Sequence, residues 1–151
     1  MNRSVGGWCV AAIAGAMAAC NSGVPEPASM DVPGTGVRLT IVRVATDPFL
    51  SRHNLSLTVA RGADCTATVD LFPDTGHTSR RNIYLTRAGL IYLVGQFDAR
   101  VIDGAVCGIT LSEFRHLDRE VVFLGSFDED SSSHWAYQSG AERPELPFEK
   151  R

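Results

Sequence analysis

The sequence has no excess of basic residues, no apolar run of about 20 residues and no segment with helical periodicity over three turns. It contains 14 basic and 17 acidic residues, and the formal charge of −3 does not favour a nucleic-acid partner. Charged residues make up 21% and hydrophobic residues 44% of the 151 positions. This composition excludes wholesale disorder, and the length fits one domain.

Motifs that carry catalysis or cradle phosphate are also missing. The sequence contains no G-x-S-x-G elbow, no S-x-x-K, no H-E-x-x-H and no phosphate-binding glycine loop. The histidines are scattered over segments predicted as loops, where a lone histidine is usually a solvated side chain. They are His53, His77, His116 and His134. The sequence therefore predicts no catalytic residue, no cofactor and no metal site.

One acidic segment partly imitates a calcium-binding loop. Asp128, Asp130 and Ser132 match its first three ligand positions. Ser133 stands where the loop needs glycine, and Ser139 stands where it needs a bidentate glutamate. We predict a solvated acidic turn here, and cation binding at Asp128 and Asp130 stays open.

The amino-terminal segment combines a positive start, a short apolar run and small residues before a cysteine. Arg3 precedes the run 5–19, which is too short for a transmembrane helix and ends in Met17-Ala18-Ala19-Cys20. This segment resembles a bacterial lipoprotein signal. In that family an aliphatic residue and two small residues precede the cysteine that receives the lipid. The two alanines and Cys20 match, and Met17 stands in place of the usual leucine.

The resemblance implies export, loss of residues 1–19 as a signal peptide and lipidation of Cys20, with a diacylglyceryl thioether and an acylated (palmitate) amino group. By analogy with enterobacterial lipoproteins, Asn21 in place of Asp points to the outer membrane, with the chain facing the periplasm. Two alternatives stay open: a plain secretory signal cleaved near Ala19, and a cytoplasmic protein with an apolar amino-terminal helix. Removal of residues 1–19 takes the formal charge from −3 to −4, which does not favour adhesion to anionic headgroups.

A Pro- and Gly-rich segment follows the lipidated cysteine. Residues 21–36 contain three prolines and three glycines and show no apolar periodicity. We predict that residues 20–36 form the lipidated end and a flexible tether with a reach of about 50 Å. A folded domain at 37–139 would then stand off the membrane.

Alternating apolar and polar residues, separated by turn signals, dominate the chain from Val37 onward. The segments predicted as strands are 37–41, 55–59, 65–71, 83–85, 90–102, 106–111, 121–127 and 135–137. Seven or eight short strands predict an all-β fold, a small antiparallel β-sandwich, with a small β-barrel as the alternative. The charged, Pro-containing segment 140–151 is predicted to be a mobile tail.

Two cysteines lie in the predicted domain, Cys65 and Cys107. Each is in phase with apolar neighbours, and export would place both in an oxidising compartment. We predict a disulfide between them. A redox-active pair is disfavoured because the sequence has no Cys-x-x-Cys motif.

Aromatic and arginine side chains are the candidates for partner contact, since these types are enriched in interfaces. The candidates are Tyr84, Tyr92, Trp135 and Tyr137, together with His77, Arg80 and Arg81 in the segment 76–82. For each of them, covering a sheet edge or capping the core is the alternative role.

These features favour a lipid-anchored, non-catalytic envelope protein that acts as a binding or structural accessory through protein–protein contacts. The partners expected are the membrane, reached through the lipid, and another envelope protein. Two alternatives stay open: a periplasmic inhibitor or immunity lipoprotein directed at a cell-wall hydrolase or toxin through the segment 76–82, and a small envelope enzyme or carbohydrate binder. The oligomeric state is not determined by the sequence.

Overall fold

A computed structural model describes residues 23–47, 49–112 and 120–148. These residues form ten β-strands and no helix. The strands are β1 (Glu26–Val32), β2 (Val37–Ala45), β3 (His53–Arg61), β4 (Cys65–Asp70), β5 (Arg81–Thr86), β6 (Ile91–Val94), β7 (Ala99–Asp103), β8 (Gly108–Ser112), β9 (Val121–Glu129) and β10 (Trp135–Ser139). The predicted all-β class is confirmed, with more strands than the seven or eight expected.

The strands form two antiparallel sheets that face each other. One sheet has the order β1-β2-β3-β4 and the other has the order β10-β9-β5-β6-β7-β8. In the described ranges no strand of one sheet pairs with a strand of the other. The architecture is therefore a β-sandwich, as predicted, and the alternative of a small barrel is wrong because the sheet edges do not join.

The core lies between the sheets, because every second residue of each strand points inward. Leu39, Ile41 and Leu57 of the four-stranded sheet are completely buried, as are Ile83 and Phe127 of the six-stranded sheet. The remaining buried hydrophobic residues of this core include Met30, Val32, Val37, Leu55, Val59, Leu71, Ile91, Leu93, Ile102, Cys107 and Trp135. Alternation in the sequence therefore identified most of the inward-facing positions correctly.

The predicted tether is wrong over residues 26–32, which form strand β1. All seven residues pair with β2, from Glu26 opposite Arg43 to Val32 opposite Val37. Ala28, Met30 and Val32 alternate into the core. Pro27 is tolerated because β1 is an edge strand, where one side of the backbone needs no partner.

The segment 90–102, predicted as one long strand, is two strands joined by a tight turn. β6 and β7 pair with each other, and the Gly95 N–H donates a hydrogen bond to the Asp98 carbonyl at 2.8 Å. The sequence pattern did not reveal this turn, because the turn contains a large apolar residue, Phe97. Phe97 is half exposed and does not belong to the core.

The predicted disulfide is confirmed. Cys65 at the start of β4 is bonded to Cys107, which immediately precedes β8, across a separation of 42 residues. The bond therefore joins the edge of one sheet to the edge of the other.

The predicted mobile tail is described as far as residue 148 and lies against the outer face of the six-stranded sheet. The Tyr84 hydroxyl donates to Glu145, and the Asn82 side-chain amide donates to the Leu146 carbonyl at 3.0 Å. Phe148 packs beside Tyr84 and Phe123 in a second, smaller apolar cluster. The tail is held because this face offers buried polar side chains that need partners.

The strand directions give the sandwich two ends. One end carries the chain entry at 23–25 and the connections 46–52, 71–80, 95–98 and 130–134, and we call it the loop end. The disulfide lies at the opposite end. Among the described residues there is no helix with the length and apolar character to cross a bilayer.

Candidate functional site

A small polar cavity opens at the loop end. Its volume is about 110 Å³, enough for a few water molecules or one very small polar ligand. Its lining combines one arginine, three carboxylates, a histidine and three hydroxyl side chains. These residues are Arg43, Ser51, Asp74, His77, Thr78, Ser79, Asp128 and Glu129.

Asp74 and Ser79, which line the cavity, form a hydrogen-bonded cluster with His53. The Ser79 hydroxyl donates to Asp74 Oδ2 at 2.9 Å, and His53 Nδ1 lies 3.5 Å from the same oxygen. Ser79 Oγ is also 3.4 Å from His53 Nδ1. A Ser-His-Asp triad needs its serine and aspartate on opposite nitrogens of the ring, whereas here both face Nδ1. This cluster is therefore not arranged for acyl transfer.

Asp74 also organises the backbone of its own loop. Its Oδ1 accepts hydrogen bonds from the Gly76 and His77 N–H groups at 3.0 and 2.8 Å. Two backbone hydrogen bonds between Asp74 and His53 fasten this loop to the start of β3. Burial acts to raise the pKa of Asp74, but the hydrogen bonds from His77, Ser79 and Gly76 outweigh it and hold the pKa below its ordinary value.

This arrangement predicts a pH dependence of stability. Because the pKa of Asp74 is lower in the folded than in the unfolded state, its contribution is present above about pH 4 and is lost as the pH falls through the folded value. We expect Asp74→Asn to lower the free energy of unfolding by about 1–2 kcal/mol at pH 7. Between about pH 5 and pH 2, the free energy of unfolding of this variant should fall less steeply than that of the parent.

Urea unfolding at a series of pH values measures this dependence. Asp64→Asn, in the exposed turn between β3 and β4, is the matched control and should leave the curve unchanged. Parallel curves for the parent and Asp74→Asn would contradict the role given to Asp74.

Arg43 also lines the cavity, and its guanidinium is almost fully buried. It forms ion pairs with Glu26 of β1 and Glu129 of β9 and lies 5.1 Å from the centre of the Trp135 ring. Burial acts to lower the pKa of Arg43, and the hydrogen bonds to Glu26 and Glu129 outweigh it and raise the pKa. Arg43 therefore joins the two sheets and is not free to bind an anion.

A second buried arginine, Arg80, connects the cavity to the tail. Its guanidinium donates to the Asn82 side chain at 2.9 Å and to the Pro144 carbonyl at 3.2 Å, and it lies 3.5 Å from Asp128. Arg143 pairs with the same aspartate at 2.9 Å. The cavity carboxylates are thus paired with arginines or hydrogen-bonded within the protein.

The cavity has the polar character of a binding site but little unused bonding capacity. Within 23–47, 49–112 and 120–148 there is no group of three or more His, Cys, Asp or Glu placed to hold a metal ion. Asp130, one of the calcium-like positions, accepts hydrogen bonds from the Ser132 and His134 N–H groups instead. The observed geometry is that of a structural network that fastens the loops.

Arg81 fixes the backbone of the loop end through three hydrogen bonds. Its guanidinium donates to the carbonyls of Ser79, Arg80 and Phe72, the last at 2.7 Å. Asp98 lies 3.5 Å away and accepts a hydrogen bond from the Phe72 N–H. Arg81 therefore holds the connection between the sheets against the turn from β6 to β7.

Four of the seven predicted contact residues are buried. Arg80 and Arg81 are engaged in the networks above, Tyr84 lies under the tail, and the Trp135 indole N–H donates to the Ile41 carbonyl across the core. The prediction that these four form an accessible contact surface is wrong, because each is covered by, and bonded to, other parts of the folded chain. The segment 76–82 is correspondingly not a wholly protruding loop.

The other three predicted contact residues are at least partly accessible. Tyr137 donates its hydroxyl to the Leu124 carbonyl, Tyr92 packs at the margin of the second cluster, and His77 is exposed with its ring against Phe97. The structure does not bring these three together into one surface. Cys20 and His116 lie outside the described residues.

Sequence reasoning missed a set of exposed apolar side chains at the loop end. They are Val24, Phe49, Leu50, Phe72 and Phe97. One sequence feature could have indicated these exposed residues: a large apolar residue that stands alone in a segment predicted as a turn, such as Phe72 before Pro73. That signal is weak, because single exposed hydrophobic residues are common on protein surfaces.

Comparisons with protein-family models, curated proteins and solved structures find no match to this chain. Its function has to be inferred from its own residues.

Proposed function

We propose that this chain is an exported, lipid-anchored β-sandwich that acts by binding another envelope protein and not by catalysis. The cysteine pairing carries the proposal. Cys65 and Cys107 are bonded to each other, so after removal of residues 1–19 the remaining thiol is Cys20, the lipobox position. An inter-sheet disulfide suits an oxidising compartment, which is where lipoprotein signals deliver their cargo.

The non-catalytic part of the proposal is supported by the cavity at the loop end. Its carboxylates are engaged by Arg43, Arg80, Arg143 or backbone N–H groups. Ser79 of the cavity and the neighbouring His53 lack triad geometry. No specific observation favours the inhibitor or immunity alternative, since most of the segment 76–82 that would carry it is buried.

For the partner surface we propose the edge strand β8. In the described part of the chain β8 pairs with β7 alone, so over residues 108–111 the other side of its backbone faces no strand of either sheet and offers a position for an added strand. Leu111 on this strand is 58% exposed, and Val106 in the preceding turn is 69% exposed. An apolar edge of this kind suits a strand of a partner protein.

The anchor is tested by expressing the full chain in a Gram-negative host supplied with labelled palmitate. We expect incorporation into the parent, none into Cys20→Ala, and release of that variant from the membrane fraction. Cys9→Ala is the matched control and should label like the parent. Labelling that survives Cys20→Ala would contradict the anchor.

The partner surface is tested by placing a photo-cross-linking amino acid at position 111 in cells of the source bacterium. We expect a discrete cross-linked product from position 111 and none from position 122, where Val122 on β9 is 62% exposed, close to the 58% of Leu111. Equal products from both positions, or none from either, would contradict the assignment of β8.

A further inference from the structure

The loop end concentrates the exposed apolar surface of the sandwich. Five of the nine large hydrophobic residues exposed in the described part of the chain lie there. Their exposed fractions are 83% for Val24, 92% for Phe49, 50% for Leu50, 45% for Phe72 and 51% for Phe97. They come from four separate segments, so the tertiary structure gathers them at one end.

Built-in hydrogen bonds hold these side chains outward. Asp47 Oδ1 accepts from the Phe49 and Leu50 N–H groups at 2.8 and 2.9 Å, which fixes that loop as a turn. Asp98 and Arg81 hold the backbone of Phe72 in the same way. Hydrogen bonds from Asp47, Asp98 and Arg81 therefore fix the backbone of the loops that carry these apolar side chains.

The chain enters the sandwich at this same end, close to the proposed lipid site. The Gly23 N–H donates to the Ala45 carbonyl at 3.1 Å, and a side chain at Gly23 would collide with Ala45, so the chain is fixed here. Cys20 precedes Gly23 by three residues, which span at most about 10 Å. This replaces the reach of about 50 Å predicted for a tether running to residue 36.

We infer that the loop end rests on the bilayer surface, with Phe49, Leu50, Phe72 and Phe97 in contact with lipid. This inference depends on the proposed lipidation of Cys20. An anchor within about 10 Å leaves the loop end as the part of the domain nearest the membrane. Aromatic and aliphatic side chains on a polar scaffold suit the interface between headgroups and acyl chains.

The charge of the loop end specifies the kind of lipid contact. Four aspartates and two arginines lie in the described loops of this end: Asp47, Asp74, Asp98, Asp130, Arg52 and Arg80. Arg43, Arg80 and Arg81 are buried in internal pairs, so Arg52 is the exposed arginine there, and the four carboxylates outweigh its charge. The contact is therefore apolar, and it does not depend on anionic headgroups or on low salt.

The test uses the mature chain, residues 20–151, coupled through the Cys20 thiol to a maleimide lipid in phosphatidylcholine vesicles. Chemical coupling makes this experiment independent of lipidation in cells. Phe49→Trp places a reporter at the loop end, and Val106→Trp places a matched exposed reporter at the opposite end. The signal of Trp135, present in both variants, is subtracted by measuring the parent.

We expect brominated phosphatidylcholine to quench the added fluorescence of Phe49→Trp several-fold more than that of Val106→Trp, with the same ratio when anionic lipid or salt is added. Equal quenching of the two reporters would overturn the inference while leaving the lipid anchor intact. A Phe49-dependent dimer in light scattering, without quenching, would overturn it in favour of a second copy of the chain. Strong quenching of Phe49→Trp, together with no palmitate labelling in cells, would contradict the proposed lipidation of Cys20 and leave the affinity of the loop end for lipid intact.

Discussion

Replacement of Arg81 by methionine should lower the free energy of unfolding by about 3–5 kcal/mol, the range found when one partner of a buried ion pair is removed. Arg81 and Asp98 are both almost completely buried, and the guanidinium satisfies three backbone carbonyls. Burial lowers the pKa of Arg81, and the neighbouring Asp98 and Asp74 act in the opposite direction. Methionine fills much of the same space but leaves these acceptors without their donor.

The measurement is urea unfolding of the mature chain at neutral pH. Arg87→Met is the matched control, since Arg87 and its partner Glu120 are both well exposed and such pairs contribute about 0–1 kcal/mol. Gly95→Ala should also lower the free energy of unfolding, because a Cβ at this position would lie 2.6 Å from the Arg81 side chain and displace it. Equal effects of Arg81→Met and Arg87→Met would contradict the anchoring role of Arg81.

Removal of the disulfide should have the second large effect, a loss of about 4 kcal/mol in the chain-entropy model for a loop of 42 residues. The loss is expected because Cys65 and Cys107 tie together two sheets that, in the described ranges, share no strand pairing. Typical domains are stable by only about 5–15 kcal/mol, so the variant would be close to unfolding.

The variant is Cys65→Ala with Cys107→Ala, compared with the parent by urea unfolding under non-reducing conditions. Cys20→Ala is the matched control and should unfold like the parent, since Cys20 lies outside the bridge. Addition of a reductant should bring the parent down to the stability of the double variant. A double variant as stable as the parent would contradict the stabilising role of the bridge.

The fold class was predictable because β-structure leaves a local signature. Alternation at Leu39 and Ile41, or at Leu55 and Leu57, records which face of a strand is buried, and the same residues lie in the core. Strand β1 was missed although Ala28, Met30 and Val32 alternate, because the surrounding prolines favoured a linker. An edge strand accepts proline, and only its pairing with β2 distinguishes it from a tether.

The candidate site was less predictable, because its residues are distant in the sequence. Arg80 and Arg81 were predicted as accessible contact residues in the segment 76–82, because arginine is enriched in protein interfaces. Their acidic partners, Asp128 and Asp98, come from strands and turns elsewhere in the chain. No local pattern records such a pair.

The sequence by itself determined the all-β class, the inward-facing residues of most strands and the pairing of Cys65 with Cys107. These follow from local periodicity and from an even cysteine count, which need no knowledge of long-range contacts. Only the tertiary structure decided that the arginines of 80–81 are buried and that the exposed phenylalanines gather at the end where the chain enters. Both depend on which loops lie next to each other at one end of the sandwich. The strand order decides this, and a local sequence pattern does not encode the strand order.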